Sequence, residues 1–207
     1  MTVDDVKSLF TRRDGQYLFA RWGRAIVPVV FGVTDDTLSV FKRAIEVVVA
    51  MAGHELADAD PELGANLMVF FCREWSELPQ VPNLDRLIPD LGPLCERLAA
   101  ANANQYRIFR FDQTGAIKAA FVFLRMDDHL SEVPADILAL SQAVQIILLW
   151  SDRAFEANSP LVDAGMGAQL RRDIGAVIRA GYAPVLPPMA QDPSHAWRLF
   201  ARIAKAV

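Results

Sequence analysis

Hydrophobic and polar positions are spread unevenly along the chain, and one stretch is apolar almost without a break. Between Ile137 and Trp150 only Ser141, Gln142 and Gln145 interrupt the apolar run. The segment Pro134 to Asp152 is long enough for several helical turns. Pro134 suits a first turn, where a missing N–H costs little, and Asp136 then sits near the positive end of the helix dipole. The pattern predicts a central helix over 134–152, buried around most of its circumference. At about 100° per residue, Ser141, Gln145 and Asp152 share one narrow stripe, with Gln142 at its margin. Buried polar groups need partners, so the stripe meets neighbouring backbone, or water in a cleft. A bilayer is the third environment for so apolar a run, but two Gln, a Ser and flanking acids argue against it.

The remaining pattern surrounds that helix with strands. Tyr17 to Trp22 reads as a short strand and Ala25 to Val33 as a longer one, with Pro28 placing part of it at an edge or bulge. Thr34, Asp35 and Asp36 open a helix in which Leu38, Phe41, Ile45, Val48 and Met51 repeat at helical spacing, and Gly53 stops it. Asn66 to Cys72 is a second buried strand. Leu84 to Asn102 reads as a helix interrupted near Gly92-Pro93. Gln105 to Phe111 and Ala116 to Met126 flank Asp112-Gln113-Thr114-Gly115 and make the clearest hairpin. After the central helix, Asp163 caps a predicted helix to about Ala180, Tyr182 to Met189 is an extended Pro-rich connection, and Asp192-Pro193 opens a last helix to about Ala206. The order implies a mixed α/β (α+β) fold. Its sheet packs on the central helix, in a single domain over 1–207 with an N-terminal extension (1–15) and a helical C-terminal part (156–207).

Charge and composition narrow the function. With 53% hydrophobic residues in 207, the chain can bury a substantial core. A net charge of −4 gives no electrostatic footprint for nucleic acid or an anionic membrane. The start, MTVDDVKSLFTRRDGQ, has acids before any apolar run and no hydrophobic signal core, so the chain reads as cytoplasmic. Cys72 and Cys95 lie in apolar surroundings and read as buried free thiols.

Catalytic motifs leave little trace. There is no Gly-x-Ser-x-Gly elbow or phosphate loop, and Gly165-Met166-Gly167 has neither the preceding strand nor the following residues such a loop needs. His54-Glu55-Leu56-Ala57-Asp58 lacks a second His and follows a helix stop, so no metal is assigned to it. Glu55, Asp58, Asp60 and Glu62 read as a solvated loop. The histidines His54, His129 and His195 stand in separate segments.

In SQAVQIILLWSD, the positions that carry His-Glu-x-x-His in a zincin metalloprotease fall on Ser141, Gln142 and Gln145, and the third-ligand position falls on Ser151, beside Asp152. The chain resembles an uncharacterised bacterial family of zincin-like proteins whose helix reads Glu-Glu-x-x-Gln…Asn-Asp. Gln145 and Asp152 match that pattern; Ser141, Gln142 and Ser151 depart from it. RWGRAIVPVVFG, GANLMVFFC and AGYAPVLPPM are similar to further segments of the family. The resemblance implies a zincin-like fold with an eroded site. Ser and Gln are poor zinc ligands, and Gln142 cannot serve as a general base. The expectation is therefore no metal, no cofactor and no zinc hydrolysis, with Ser141, Gln142, Gln145, Ser151 and Asp152 as cleft candidates. Three functions stay open: an inactive domain binding a peptide or protein, with strand addition at a sheet edge; an enzyme using non-zinc hydrolytic chemistry in the same cleft; and a structural or assembly subunit, such as a homo-oligomer.

Overall fold

The structure is a computed structural model that describes residues 1–163, 165 and 167–205. In chain order the elements are α1 (Val3–Ser8), β1 (Phe19–Ala20), β2 (Pro28–Phe31), α2 (Asp35–Ala52), β3 (Leu67–Cys72), a 3-10 helix (Trp75–Gln80), α3 (Leu84–Leu87) and α4 (Leu91–Ala100). There follow β4 (Gln105–Phe111), β5 (Ile117–Arg125), α5 (Asp128–Ser131), α6 (Ala135–Ile147), β6 (Leu161–Asp163), β7 (Ala168–Leu170), α7 (Arg172–Gly181), β8 (Met189–Ala190) and α8 (Ser194–Lys205). The main sheet has the order β2-β3-β5-β4. β2, β3 and β5 run parallel, and β4 returns antiparallel along β5, so the sheet is mixed.

Both faces of this sheet are covered, which explains why its strands read as apolar runs. Leu67, Val69, Ala120, Val122 and Leu124 face one core, shared with α2, α6, α7 and α8. Phe70, Cys72, Ala119, Phe121 and Phe123 face a second core under the 3-10 helix, α3 and α4. Val122 and Phe123 are each fully buried, and burying side chains of this size contributes roughly 1.5–3 kcal/mol apiece. Val6 and Phe10 are fully buried in the first core, so residues 1–15 pack into the fold instead of extending from it.

Local signals fix α2 at both ends. The Thr34 hydroxyl accepts from the Thr37 N–H. Gly53 takes a left-handed conformation (φ 66°), and the N–H groups of Gly53 and His54 donate back to Ala50 and Val49, the two bonds of a Schellman stop. Gly32 answers a different need: a Cβ there would lie 2.4 Å from the Phe71 carbonyl oxygen.

Helix α6 is shorter than its sequence suggests. It ends at Ile147, and Leu148 is extended. Leu148 bridges Arg21, the Leu149 N–H donates to Ala20, and the Ser151 N–H donates to Leu9. β1, which pairs with β8 on its other side, thus captures the backbone that would have continued the helix. No glycine stop is needed, because side chains satisfy the orphan carbonyls. Trp150 Nε1 donates to Val144 O, Trp22 Nε1 to Ile146 O and the Tyr182 hydroxyl to Ile147 O, all at 2.8–2.9 Å.

Other expectations shift in the same way. The strand over 25–33 contracts to β2, which opens on Pro28 at the sheet edge. The break in the 84–102 helix falls at Ile88–Asp90, ahead of Gly92-Pro93. Strands β6 and β7 pair antiparallel, and helix α7 begins only at Arg172. The C-terminal part is therefore helical in α7 and α8 but also carries strands. The predicted 163–180 helix and the Gly165-Met166-Gly167 stretch run over Ala164 and Met166, and the last helix over Ala206; those residues lie outside the described ones. Asp60 is not in a solvated loop. It is buried and accepts from the N–H groups of Glu62 and Leu63 and from Asn66 Nδ2, and these donors hold its carboxyl below the usual range against the opposing effect of burial.

Candidate functional site

Between the outer edge of β4 and the end of α6 lies a groove of about 670 Å³. Gln105, Arg107 and Phe109 form one wall. Gln145 and the Leu149–Asp152 segment after the helix form the other, and Arg12, Arg13 and Asp14 close one end. The end is clasped by Arg13, whose backbone N–H donates to Asp152 Oδ1 at 3.1 Å and whose guanidinium pairs with Asp152 and Glu156. These side chains are about half exposed, so the pairs hold geometry and add little stability.

Among the described residues no strand pairs with the outer side of β4. The Arg125 N–H donates to Asn104 O at 2.8 Å, which sets the phase of the antiparallel ladder. Alternation then points the backbone groups of Tyr106 and Ile108 toward β5, and those of Gln105, Arg107 and Phe109 toward the open edge. The same residues turn their side chains to the α6 face of the sheet, opposite to Tyr106 and Ile108 in the second core.

Arg107 is the most unusual group in the groove. Its Nη2 donates to Gln142 Oε1 at 2.5 Å and to Gln105 Oε1 at 2.8 Å. Its Nε is buried with no partner. Among the described residues no carboxylate pairs with it, whereas Arg13, Arg24, Arg125, Arg153 and Arg171 all have one. Desolvation works against its charge and pushes the guanidinium down to about 10, which leaves it protonated at neutral pH. Part of the side chain still faces the groove.

The structure separates the five residues that the sequence placed together. Gln145, Ser151 and Asp152 line the groove. Ser151 and Asp152 do so from the irregular chain and turn beyond α6, not from the helix as expected. Ser141 is not part of the lining; it is half-buried and accepts from Gln145 Nε2 at 3.0 Å. Gln142 is not part of it either. It is 3% exposed and sits beneath Arg107, with Nε2 donating to Gln105 Oε1 at 3.3 Å. Arg107, Gln105 and Phe109 escaped the sequence reading. The signal was there: period-two alternation puts a Gln, an Arg and a Phe on one face of a strand otherwise read as apolar.

These residues do not fit zinc. The helix positions that resemble zincin ligands carry Ser141, Gln142 and Gln145, and Gln142 is committed to Arg107. Among the described residues no three His, Cys, Asp or Glu side chains gather around a common point. His54 Nε2 bonds the Arg24 carbonyl and its ring lies against Tyr182, and His129 is exposed. His195 is buried, with Nδ1 2.9 Å from the Tyr17 hydroxyl. Compared with known proteins, the chain matches no family model, no curated protein and no solved structure.

Proposed function

We propose that the protein is a binding module with a zincin-like fold and a disused catalytic helix, which takes an extended peptide segment of a protein partner by strand addition to β4. The observation that carries this reading is the unpaired outer edge of β4 beside the groove. Backbone donors and acceptors at Gln105, Arg107 and Phe109 supply affinity for any extended chain, and the groove walls supply selectivity. Hydrolysis finds less support. No histidine lines the groove, the Ser151 hydroxyl is bonded to the Ser8 carbonyl at 3.3 Å, and the neighbouring Asp152 carboxylate is taken up by Arg13, so no imidazole activates that hydroxyl. No helix among the described residues is long and apolar enough to cross a membrane, in keeping with the cytoplasmic setting that the reading assumes.

The test is a random-decapeptide library panned on the purified protein, with binders mapped by amide chemical-shift changes. Binders should perturb Gln105, Arg107 and Phe109, and N-methylation scanned along a binder should weaken it at alternate residues. Binders that map elsewhere, or a scan without period two, would overturn the reading. Elemental analysis is expected to find no stoichiometric zinc in protein purified without added metal.

A further inference from the structure

We infer that Arg107 is the specificity-determining receptor of the groove and that it takes a carboxylate, so the bound segment carries Asp or Glu where it crosses this side chain. The inference rests on the peptide reading of the groove and adds the chemistry of the ligand.

Three observations carry it. Arg107 lines the groove, so a ligand can reach it. Its partners are two neutral amide oxygens, and its Nε has none. No carboxylate of the described residues neutralises it, and burial denies it the water that serves the exposed arginines. A desolvated, unpaired cation is a costly thing for a fold to keep. A carboxylate docked on the guanidinium from the groove would supply the missing charge. The other charges of the groove, Arg12 and Arg13 against Asp14 and Asp152, balance one another, so Arg107 leaves one positive charge to be met and a singly charged carboxylate suffices.

Strand geometry then sets a pattern. A peptide residue paired opposite Arg107 points its side chain to the same face of the sheet. Phe109 lies two residues further along that face, so the residue two positions from the acid meets an aromatic ring. The expected partner motif is an acid and an apolar residue separated by one position.

Gln142 provides a control within the fold. Its Oε1 already touches Arg107 Nη2, so Gln142→Glu would supply an internal carboxylate to the same guanidinium with almost no change in shape. The library binders are sequenced, and the tightest is compared with its Glu→Gln (or Asp→Asn) analogue by fluorescence anisotropy. Against the wild-type protein the analogue should bind about tenfold or more weakly, the scale of a charged hydrogen bond. Against Gln142→Glu the two peptides should bind within about twofold of each other. Arg107→Met should also erase the preference, and Gln142→Glu answers the question if that variant does not fold. Binders without an acid, or an acid preference that survives Gln142→Glu, would overturn the inference while leaving strand addition to β4 standing. If no peptide binds at β4, the peptide reading falls, and benzoate is then titrated alone against the Arg107 Nε–H resonance. A saturable shift that disappears in Gln142→Glu would support the receptor, and no shift would overturn it.

Discussion

Replacing two glutamines of one helix, three residues apart, separates a buried strut from a groove lining. Gln142→Leu removes the oxygen that accepts from Arg107 Nη2 at 2.5 Å, at a site 3% exposed. The Arg107 Nε already lacks a partner, so the guanidinium would keep only the Gln105 oxygen. Losing a hydrogen bond to a buried charged group costs roughly 1.5–3 kcal/mol, and the added apolar contact of Leu offsets a part, leaving about 2 kcal/mol. Gln145→Leu removes a 3.0 Å bond to the Ser141 hydroxyl at the groove wall, where water reaches the groove. That change should fall within about 0.5 kcal/mol. Urea unfolding followed by circular dichroism reads both. With m on the order of 2–3 kcal/mol/M, Gln142→Leu lowers the midpoint by roughly 0.7–1 M at unchanged m, and Gln145→Leu barely moves it. Equal losses in the two variants, or a larger one for Gln145→Leu, would refute the division of the polar stripe into a strut and a lining.

Two further predictions concern buried titratable groups. Burial pushes His195 down to about 4, while the unfolded chain titrates near 6.5, so between these values the unfolded state binds the extra proton. The His195 contribution is therefore fully present above about pH 6.5 and is lost as pH falls toward 4. It is worth about 3 kcal/mol over the whole window, and a His195→Phe variant should show a correspondingly flatter stability profile in pH-dependent urea unfolding. Burial also pushes the Cys72 thiol up to about 12 and raises Cys95, so neither should react with an aromatic disulfide reagent at pH 8 in the folded protein, and both should react once it is unfolded.

What the sequence made legible follows the range of the forces involved. α2 was readable because its start and stop are chemical signals within a few residues of the helix, Thr34 and Gly53. The β4–β5 hairpin was readable from its turn, and the buried strands from their apolar runs. The end of α6 was not, since IILLWSD contains no local stop. Its carbonyls find donors at Trp22 and Tyr182, more than a hundred and more than thirty residues away respectively, and its continuing backbone is captured by β1. Ser151 and Asp152 consequently reached the groove by a route that helical periodicity could not describe. The pairing of β6 with β7 is hidden by Asp163, which has the chemistry of a helix cap. Arg107 is not legible in the sequence because the apolar majority of its strand masks one charged position, and only the pairing of Gln142 with β4 reveals that its charge is unmatched.

The aromatic donors at the end of α6 also bear on the order in which the chain assembles. Val144, Ile146 and Ile147 are held by Trp150, Trp22 and Tyr182, so one helical turn is completed by side chains from the first, middle and last parts of the chain. Most of α6 can form from neighbouring residues, but this turn must wait for both loops to close, and closure over such separations is entropically slow. A ribosome-bound chain not yet extended to Tyr182 would leave the Ile147 carbonyl without its donor, so the last turn of α6 settles late in synthesis, after the β4 edge is already in place.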